Sequence, residues 1–436
     1  MVAKKIVISS YGSLGDLYPY LAIGQALKAR GHQVTIAGGV SVRSKVEGMG
    51  LSFAPLRPDL DLSDRQTMKA AMDLRTGSET LARKLIFPYI RENYNDLSQA
   101  VQNADLLINH AYCFAGPMVS EKTGIPWISC NLSPNNFWSV HDSPVVPRYP
   151  WMVHLPGLGV PTNRLVRKAV RMVTHQWCEP IYRFRKEIGL APDKHPLMEG
   201  QHSPYRVLAM FSKLLAQKQT DWPTHTCITG FPFYQENKEL PPAVENFIRE
   251  GEPPIVVGLG SSVVLNAEAV YRCCHELLTE MNKRAIFVGA AQTLPAQEKK
   301  HYAKDRHILL TGYLPYAALF SKSALVIHHG GIGTTMEALR AGKPMLVIPH
   351  SFDQPDNALR VERLGAGKFI YSAHFTKNRL KKALLCLLED PSYSYAAQQA
   401  AAVVKEECGT ETASNYIESF IQQFDGSLSK KAAIYT

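Results

Sequence analysis

Short apolar runs alternate with amphipathic stretches along the N-terminal half of the chain. The apolar runs predict strands at residues 5–10, 33–37, 105–109 and 126–131. Stretches with a helical period, most of which stop at a glycine, predict helices at residues 19–30, 41–49 and 115–123. This alternation is typical of a parallel sheet with helices on both faces.

The same alternation begins again after a segment rich in proline and glycine, residues 222–254. Further strands are predicted at residues 255–260, 284–289, 307–311, 324–327, 345–349 and 368–371. Helices are predicted at residues 267–281, 354–364, 377–388 and 413–424, and the last is a candidate to pack back on the N-terminal half. We therefore expect two doubly wound α/β domains, residues 1–221 and 255–436, joined by a linker region and facing a cleft.

The composition is that of a globular protein without a membrane span. Apolar residues make up 45% of the 436 residues, but no apolar run approaches the roughly 20 residues that cross a bilayer. The apolar run at the N-terminus is too short for a signal peptide. The eight cysteines form no C-x-x-C pair, so we expect reduced thiols in the cytoplasm rather than disulfides or a zinc site.

The net charge of +10 indicates an anionic partner, but no nucleic-acid-binding motif accompanies it. Part of the excess lies where Arg164, Arg167, Lys168 and Arg171 alternate with apolar residues at helical spacing. Two interpretations remain open: the solvated face of a helix packed on the core, or a helix that docks on an anionic membrane surface. We expect no nucleic acid partner, and peripheral membrane contact is a hypothesis.

The strongest chemical signal is the segment HHGGIGTTME at residues 328–337, which follows the strand at 324–327. It predicts a strand, a glycine turn and a helix, and the glycines let the backbone approach a ligand closely. The N–H groups at the helix start favour a negative charge, threonine hydroxyls add donors and His329 is a candidate cation. The next strand delivers Asp353 and Gln354 to the same sheet edge. We therefore predict a diphosphate site with a polar clamp beside it.

A second glycine turn, Gly12-x-x-Gly15-Asp16, follows the first strand. It lacks the G-x-G-x-x-G spacing and no acidic residue ends the second strand, so a dinucleotide site is not supported. Asp16 is either a helix cap or an acid–base residue. His110, after the strand at 105–109, is either a structural histidine or the partner of Asp16 in a dyad. Neighbouring parallel strands would bring both side chains to one sheet edge.

Two further polar residues lie at the predicted sheet edge of the C-terminal half. Ser261 follows the strand at 255–260 and adds a hydroxyl there. Tyr313 follows the strand at 307–311 and either stacks on a nucleotide base or packs as a core aromatic.

These motifs resemble, in order and spacing along nearly the whole chain, the family 1 nucleotide-sugar glycosyltransferases of the GT-B fold. The motif at residues 329–337, followed by Asp353-Gln354, resembles the C-terminal signature of that family. Asp16, between two glycines and Pro19, resembles the N-terminal signature of bacterial members. Those members include macrolide, glycopeptide and sterol glycosyltransferases and rhamnolipid-type rhamnosyltransferases. The resemblance implies an α/β protein with two Rossmann-like domains facing a cleft.

The resemblance implies a diphosphate-binding role for the glycine-rich segment. His329 is expected to bind the donor phosphate. Gly331, Gly333, Thr334 and Thr335 are expected to form the cradle around the diphosphate.

The remaining donor contacts are also implied by the resemblance. Glu337 would bind the ribose hydroxyls, and Asp353 and Gln354 would hold sugar hydroxyls. Ser261 would approach the β-phosphate, and Tyr313 stands where the family stacks an aromatic ring on uracil.

The resemblance places the general base at Asp16 and includes Gly15 among the donor-binding residues. Plant members carry histidine at the position of Asp16 and aspartate at the position similar to His110, so the two residue types are exchanged here. The division of labour between them is therefore open. Tyr316 replaces a glutamine that is common in plant members, which leaves the preferred nucleotide base of the donor open.

The expected reaction is sugar transfer by direct displacement with inversion, without a cofactor or metal ion. UDP-glucose is the favoured donor, and the acceptor is a hydrophobic small molecule held by residues 67–94 and 131–154. Alternatives are transfer to a membrane lipid or sterol, and rhamnosyl transfer from a dTDP sugar. A nucleotide-sugar epimerase and a non-catalytic nucleotide-sugar-binding protein are less favoured. A monomer or weak dimer is expected.

Overall fold

The N-terminal domain is built on a parallel sheet. The computed structural model describes residues 2–59, 64–149, 159–191, 194–235, 239–260 and 267–434. In this part of the chain the first sheet has seven strands: β1 (Lys5–Ser9), β2 (Gln33–Gly38), β3 (Ser52–Pro55), β4 (Leu106–His110), β5 (Trp127–Asn131), β6 (Val207–Ala209) and β7 (Thr226–Ile228). The strand order is β3-β2-β1-β4-β5-β6-β7.

The C-terminal domain is built on a second parallel sheet. Among the described residues it has six strands: β8 (Ile255–Gly258), β9 (Ala285–Val288), β10 (Ile308–Thr311), β11 (Leu325–His328), β12 (Met345–Val347) and β13 (Gly367–Phe369). The strand order is β10-β9-β8-β11-β12-β13. Each strand that the sequence predicted lies within two residues of its expected bounds.

Helices cover both sheets. The helices up to the second sheet are α1 (Leu14–Ala29), α2 (Arg43–Gly48), α3 (Arg65–Ala71), α4 (Gly77–Thr80), α5 (Ile90–Ala100), α6 (Ala115–Thr123), α7 (Val160–Trp177), α8 (Glu179–Glu187) and α9 (Pro242–Arg249). Those that follow are α10 (Ala267–Glu280), α11 (Ala290–Thr293), α12 (Ala296–Tyr302), α13 (Tyr316–Phe320), α14 (Ile332–Arg340), α15 (Gln354–Arg363), α16 (Lys377–Glu389), α17 (Pro391–Glu406) and α18 (Gly409–Ile434). A π-helical segment, Leu81–Ile86, lies between α4 and α5.

The central strands are buried on both faces, which is why they appear in the sequence as continuous apolar runs. In each sheet the strand order reverses beside the first strand, between β1 and β4 and between β8 and β11. Ligands of open α/β sheets bind at such points, beyond the carboxyl ends of the strands. The loops that follow β1 and β11 carry the two glycine turns, so the topology places both turns at a binding edge.

Several elements differ from the sequence-based expectation. The segment predicted as a linker, 222–254, contains edge strand β7 and helix α9, so the first sheet extends into it. Helix α1 begins at Leu14 rather than Pro19, because Ser13 starts the helix and Pro19 lies inside it. Strands β3, β6 and β7, of three or four residues each, were not predicted from the sequence.

A buried ion-pair network joins the two domains. Arg360 of α15 donates through Nη1 to Asp142 at 2.6 Å and to the carbonyl of Leu215 at 2.8 Å, both in the N-terminal domain. Its Nε donates to Asp356 at 2.7 Å, and the other oxygen of Asp356 accepts the N–H of Val145 at 3.0 Å. The Arg360 and Asp356 side chains are only 4% and 1% exposed. The network therefore fixes α15 against the N-terminal domain.

The closing helix α18 packs on the N-terminal domain as well. Glu418 binds Arg30 at 2.6 Å and His32 at 3.2 Å. Arg206, before β6, donates to the carbonyl of Tyr416 and to the hydroxyl of Ser419. In the residues that the structure describes, no helix combines the length and the apolar character needed to cross a membrane.

Replacing Arg360 is expected to destabilise the fold strongly. The Arg360→Leu variant leaves the carboxylate of Asp356 buried and unpaired, which costs about 3–5 kcal/mol. Urea unfolding measures the loss. Arg363→Leu is the matched control, because Arg363 is 47% exposed and lies 3.6 Å from the same Asp142. Its loss should stay below about 1 kcal/mol, and equal losses for the two variants would contradict a buried network.

Candidate active site

A cleft with a volume of about 840 Å³ lies between the carboxyl ends of the two sheets. Most of the residues that the sequence singled out line it together: Gly15, Asp16, Tyr313, His329, Gly331, Gly333, Thr334, Glu337, Asp353 and Gln354. His110 and Thr335 are buried behind its wall, and Ser261 lies outside the described residues. The topology thus brings the two glycine turns, more than 300 residues apart in sequence, to opposite walls of one cavity.

The glycine turn after β11 exposes the N-terminus of α14. Gly331 caps this helix without any side-chain hydrogen bond to the first-turn N–H groups. Gly330 has a φ of +92°, and a Cβ there would lie 2.8 Å from a methyl group of Val347. Only glycine fits this turn, and the N–H groups of the first helical turn remain directed at the cavity. They form a binding site for an anion, strengthened by the helix dipole.

His329 fills a slot between two glycines. A Cβ on Gly260 would lie 2.4 Å from its Cε1, and a Cβ on Gly331 would lie 2.5 Å from its Nε2. The ring is 7% exposed, and its Nδ1 has no hydrogen-bond partner among the described residues. Burial, assisted by His328 and His350, lowers the pKa of His329 to about 3. The ring at the cavity is therefore neutral, whereas the sequence indicated a candidate cation; binding of a donor phosphate by His329 stays a prediction.

The two threonines of the turn differ. Thr334 lines the cavity. Thr335 is fully buried, and its hydroxyl donates to the carbonyl of Gly331 at 3.0 Å, while its N–H donates to the same carbonyl. Its hydrogen-bonding groups thus close the first turn of α14. The sequence predicted that Thr335 contacts the diphosphate directly. In the structure its side chain instead supports the turn from inside the helix.

Asp16 faces α14 from the N-terminal domain. Its Oδ2 accepts the N–H of Ser13 at 2.8 Å and the hydroxyl of Ser13 at 3.0 Å. Burial raises the pKa of Asp16 to about 6, although the hydrogen bonds from Ser13 oppose the shift. Asp16 therefore belongs to the start of helix α1 and is also a carboxylate whose proton affinity suits a base near neutral pH. Ser13, rather than Asp16, occupies the N-cap position.

The anticipated dyad of Asp16 and His110 is not formed. The Nδ1 of His110 accepts the N–H of Tyr112 at 3.1 Å, and the ring packs edge-on against Tyr20 and Tyr112. Among the described residues, no hydrogen bond joins His110 to Asp16. Burial lowers the pKa of His110 to about 3, so the ring is neutral. These contacts give His110 a structural setting, and a catalytic role for it stays a prediction.

Asp353 is a second cavity carboxylate with a raised pKa. Burial is the main cause and the negative charge of Asp16 the next, and together they raise the pKa of Asp353 to about 7. Asn357 donates through Nδ2 to Asp353 at 2.8 Å and to the carbonyl of Gly330 at 3.0 Å. The Oδ1 of Asn357 accepts the hydroxyl of Ser133, from the N-terminal domain, at 3.0 Å. Through Asn357, Ser133 of the N-terminal domain therefore helps to orient Asp353.

Gln354 presents its amide with a fixed orientation. Its Oε1 accepts the N–H groups of His350 and Ser351 at 2.9 and 3.3 Å. The amide nitrogen is then left to donate into the cavity that Gln354 lines. Phe352, just before this pair, has a φ of +58°, a left-handed conformation that is strained for a non-glycine residue.

Two family models match the chain. Residues 6–140 match the glycosyltransferase family 28 N-terminal domain, and residues 290–418 match the C-terminal domain of erythromycin biosynthesis protein CIII-like proteins. Together they cover more than half of the chain, one on each sheet. The chain is 28% identical to O-mycaminosyltylonolide 6-deoxyallosyltransferase of Streptomyces fradiae, over 96% of this chain and 98% of that protein.

A second relative and a solved structure agree with these matches. The chain is 28% identical over 94% of its length to the sterol 3-beta-glucosyltransferase of Emericella nidulans, of which it spans 29%. The crystal structure of glycosyltransferase VinC in complex with dTDP has a TM-score of 0.67 at 18% identity. The match covers 96% of this chain and 100% of that one. The chain belongs to the GT-B glycosyltransferases.

The glycosyltransferase has an aromatic cluster at the end of the cleft where Tyr313 lies. Tyr313 is 47% exposed, and its hydroxyl is 3.2 Å from that of Tyr18 in the other domain. Tyr18 stacks on Tyr234 with ring centroids 4.9 Å apart and accepts a hydrogen bond from Lys45 at 2.7 Å. Tyr316 also lines the cavity, but it is half-buried and its ring is stacked on Phe320. Tyr313 is thus the more exposed ring of the pair.

Glu337 lies in the same cavity, one helical turn into α14. It pairs with Arg340 at 2.6 Å, and burial raises its pKa. The guanidinium of Arg340 in turn lies 4.1 Å from the ring centroid of Phe233. This arrangement holds the Glu337 carboxylate in the cavity wall, where hydroxyl groups of a ligand can satisfy it.

A group of apolar side chains from the N-terminal domain also lines the cleft. Met68, Met72, Leu81, Leu85 and Ile86 line it, within the segment predicted to contact the acceptor. The other predicted acceptor segment, 131–154, contributes no described residue to the wall; its described part instead carries Ser133, Asp142 and Val145, which bind α15. No sequence pattern distinguished these domain contacts from acceptor contacts.

We expect the charge of Asp16 to raise the pKa of Asp353. In Asp16→Asn the negative charge next to Asp353 is absent, so the pKa of Asp353 should fall below its wild-type value of about 7. Carboxyl carbon NMR of the labelled protein measures the shift. The control is Asp59→Asn, which removes an exposed carboxylate from the cavity wall. An unchanged pKa of Asp353 in Asp16→Asn would contradict the proximity.

Proposed function

We propose that this glycosyltransferase moves a sugar from a nucleoside diphosphate sugar to a hydroxyl of a hydrophobic acceptor, with inversion and without a bound metal ion. The observation that carries the proposal is the opposition of Asp16 and the uncapped N-terminus of α14 in one cavity. A Cβ on Gly333 would lie only 3.5 Å from the carbonyl oxygen of Gly15, so the two helix starts nearly touch. A base and a leaving-group site are therefore close enough to act on one sugar.

In the proposed reaction the acceptor hydroxyl attacks the anomeric carbon of the donor as its proton passes to Asp16. The bond from that carbon to the diphosphate oxygen breaks, and the electron pair leaves with the nucleoside diphosphate. The first-turn N–H groups of α14 and its dipole, equivalent to roughly half a positive charge, stabilise the departing diphosphate. His329 adds a hydrogen bond from a neutral ring. A single displacement inverts the anomeric centre, so an α-linked donor gives a β-glycoside.

For the donor we propose UDP-glucose. Asp353 supplies a hydrogen-bond acceptor and the amide of Gln354 a donor, a pair that suits a sugar with neighbouring hydroxyls. A sugar without those hydroxyls would lose its hydrogen bonds to Asp353 and Gln354, which disfavours it. Tyr313 would stack on the base, and Glu337 would accept the ribose hydroxyls.

A dTDP-linked deoxysugar is the second candidate donor. One relative is named as a 6-deoxyallosyltransferase, and one structural neighbour was solved with dTDP. For the acceptor, the apolar wall formed by Met68, Met72 and Leu85 supports a hydrophobic compound. The names of the relatives point to a macrolide-type natural product or a sterol.

Asp16→Asn is expected to lower kcat by about 100- to 10,000-fold, because the amide cannot take the acceptor proton. The dissociation constant for UDP, measured by calorimetry, should stay within about two-fold, since Asp16 does not face the nucleotide in the proposal. Asp59→Asn is the control and should retain activity. Full turnover by Asp16→Asn would exclude Asp16 as the base.

The same assignment gives the pH dependence of the wild-type enzyme. Protonation of Asp16, whose pKa is raised to about 6, removes the base. The kcat/KM for the acceptor should therefore be constant well above that pH and fall about ten-fold per unit below it. A decline that begins only near pH 4 would indicate a carboxylate that is not buried.

His329→Ala is expected to weaken UDP binding by about ten-fold, the usual effect of losing one hydrogen bond to a charged group. His329→Gln supplies a neutral donor of similar reach and should recover most of the affinity, because the wild-type ring is itself neutral. Calorimetric titration with UDP separates the two variants. Equal loss in both would show that His329 acts as a cation, and no loss in His329→Ala would remove it from the phosphate site.

A further inference from the structure

Helix α7 (Val160–Trp177) is only loosely packed on the N-terminal domain. Among its residues only Asn163 and Thr174 are buried. Leu165, Met172 and Val173 are 69%, 72% and 49% exposed. Elsewhere in the described residues, large hydrophobic side chains with such exposure occur singly on different elements. Single exposed apolar residues are normal, but three on one helix form a patch that needs an explanation.

The exposed apolar residues of α7 form a stripe. Leu165, Ala169 and Met172 are spaced by four and three residues, so they lie above one another, with Val173 beside them. The opposite face, with Asn163 and Thr174, turns to the protein. The stripe therefore points away from the domain.

A row of cations runs along one side of this stripe. Arg164, Lys168 and Arg171 follow each other at helical spacing and are exposed. Arg171 pairs with Glu199. Arg164 and Lys168 have no carboxylate within ion-pair distance in the part of the chain that the structure describes. The surface thus combines apolar side chains with uncompensated positive charge, which is the pattern of helices that lie in a membrane interface.

We propose that the outer face of α7 docks on an anionic lipid bilayer, with the helix axis in the membrane plane. Leu165 and Met172 would enter the boundary between headgroups and acyl chains, while Arg164 and Lys168 bind lipid phosphates. A second copy of the chain fits this face poorly, because two cationic rows would repel each other. Three exposed side chains also fall short of the area that a stable protein interface buries.

Hydrogen bonds connect helix α7 to the contact between the two domains. Asn163 donates to the carbonyl of Val140 at 2.8 Å, and Asp142, two residues further on, binds Arg360 of the domain network. A bilayer contact at α7 would therefore hold the acceptor-binding domain beside the phase in which hydrophobic molecules dissolve. The docking itself does not depend on the proposed reaction.

Co-sedimentation with vesicles tests the inference. The wild-type enzyme should sediment with phosphatidylglycerol–phosphatidylcholine vesicles, should not sediment with pure phosphatidylcholine, and should be released by salt. Arg164→Gln/Lys168→Gln should weaken binding by about five-fold for each charge removed. Leu165→Gln/Met172→Gln should weaken it by about ten-fold or more. Helix content by circular dichroism confirms that each variant is folded.

Matched controls remove the same groups from other surfaces. Lys381→Gln/Lys382→Gln removes two exposed cations from α16, and Tyr395→Gln removes a 66% exposed aromatic from α17. Both should bind vesicles as the wild-type enzyme does. The proposal fails if the wild-type enzyme ignores anionic vesicles, or if the α7 variants bind as tightly as the controls. It also fails if sedimentation equilibrium without lipid shows a dimer that Leu165→Gln/Met172→Gln dissociates.

Discussion

The geometry of the cleft depends on the buried guanidinium of Arg360. A charge that is 4% exposed is tolerated because Asp356 and Asp142 neutralise it and its Nη1 also donates to the carbonyl of Leu215. Two of these partners belong to the N-terminal domain, so α15 holds its place only while the domains are together. Because α15 begins with Gln354 and directly follows Asp353, the same network positions these two residues relative to Asp16. The position of Asp353 and Gln354 in the site therefore depends on the contact between the two domains.

The electrostatics of the cleft are unusual for a site that would bind a diphosphate. The pKa values of Asp16 and Asp353 are raised to about 6 and about 7, while His329 carries no charge. The exposed N–H groups of α14 and its dipole can attract an anion although His329 is neutral. These N–H groups stabilise an anion without any change in protonation. In the proposed reaction, Asp16 is therefore the group that changes its protonation state, by taking the proton of the acceptor.

Much of this arrangement could be predicted from sequence because the signals are local. The turn at Gly330 and Gly331 requires glycine, and buried parallel strands leave continuous apolar runs, so the cradle and both sheets were recognisable. Contacts that depend on tertiary packing were not. Ser133 reaching Asn357, the inward rotation of the Thr335 hydroxyl and the neutral state of His329 are set by neighbours distant in the chain. Among the described residues, the predicted hydrogen bond between His110 and Asp16 is missing for the same reason. Adjacent strands bring the two residues to one sheet edge but do not determine the direction of the His110 ring.

The most direct test of the account is a donor-by-acceptor screen read by mass spectrometry. Purified protein is incubated with UDP-glucose or a dTDP-deoxysugar and with macrolide, phenolic and sterol acceptors. We expect a product whose mass exceeds that of one of the acceptors by one sugar residue, together with an equal amount of nucleoside diphosphate. The Asp16→Asn variant should give no product. Exchange of sugar hydrogens in the absence of acceptor would instead indicate an epimerase. Tight nucleotide-sugar binding without turnover on any acceptor would contradict the transfer reaction.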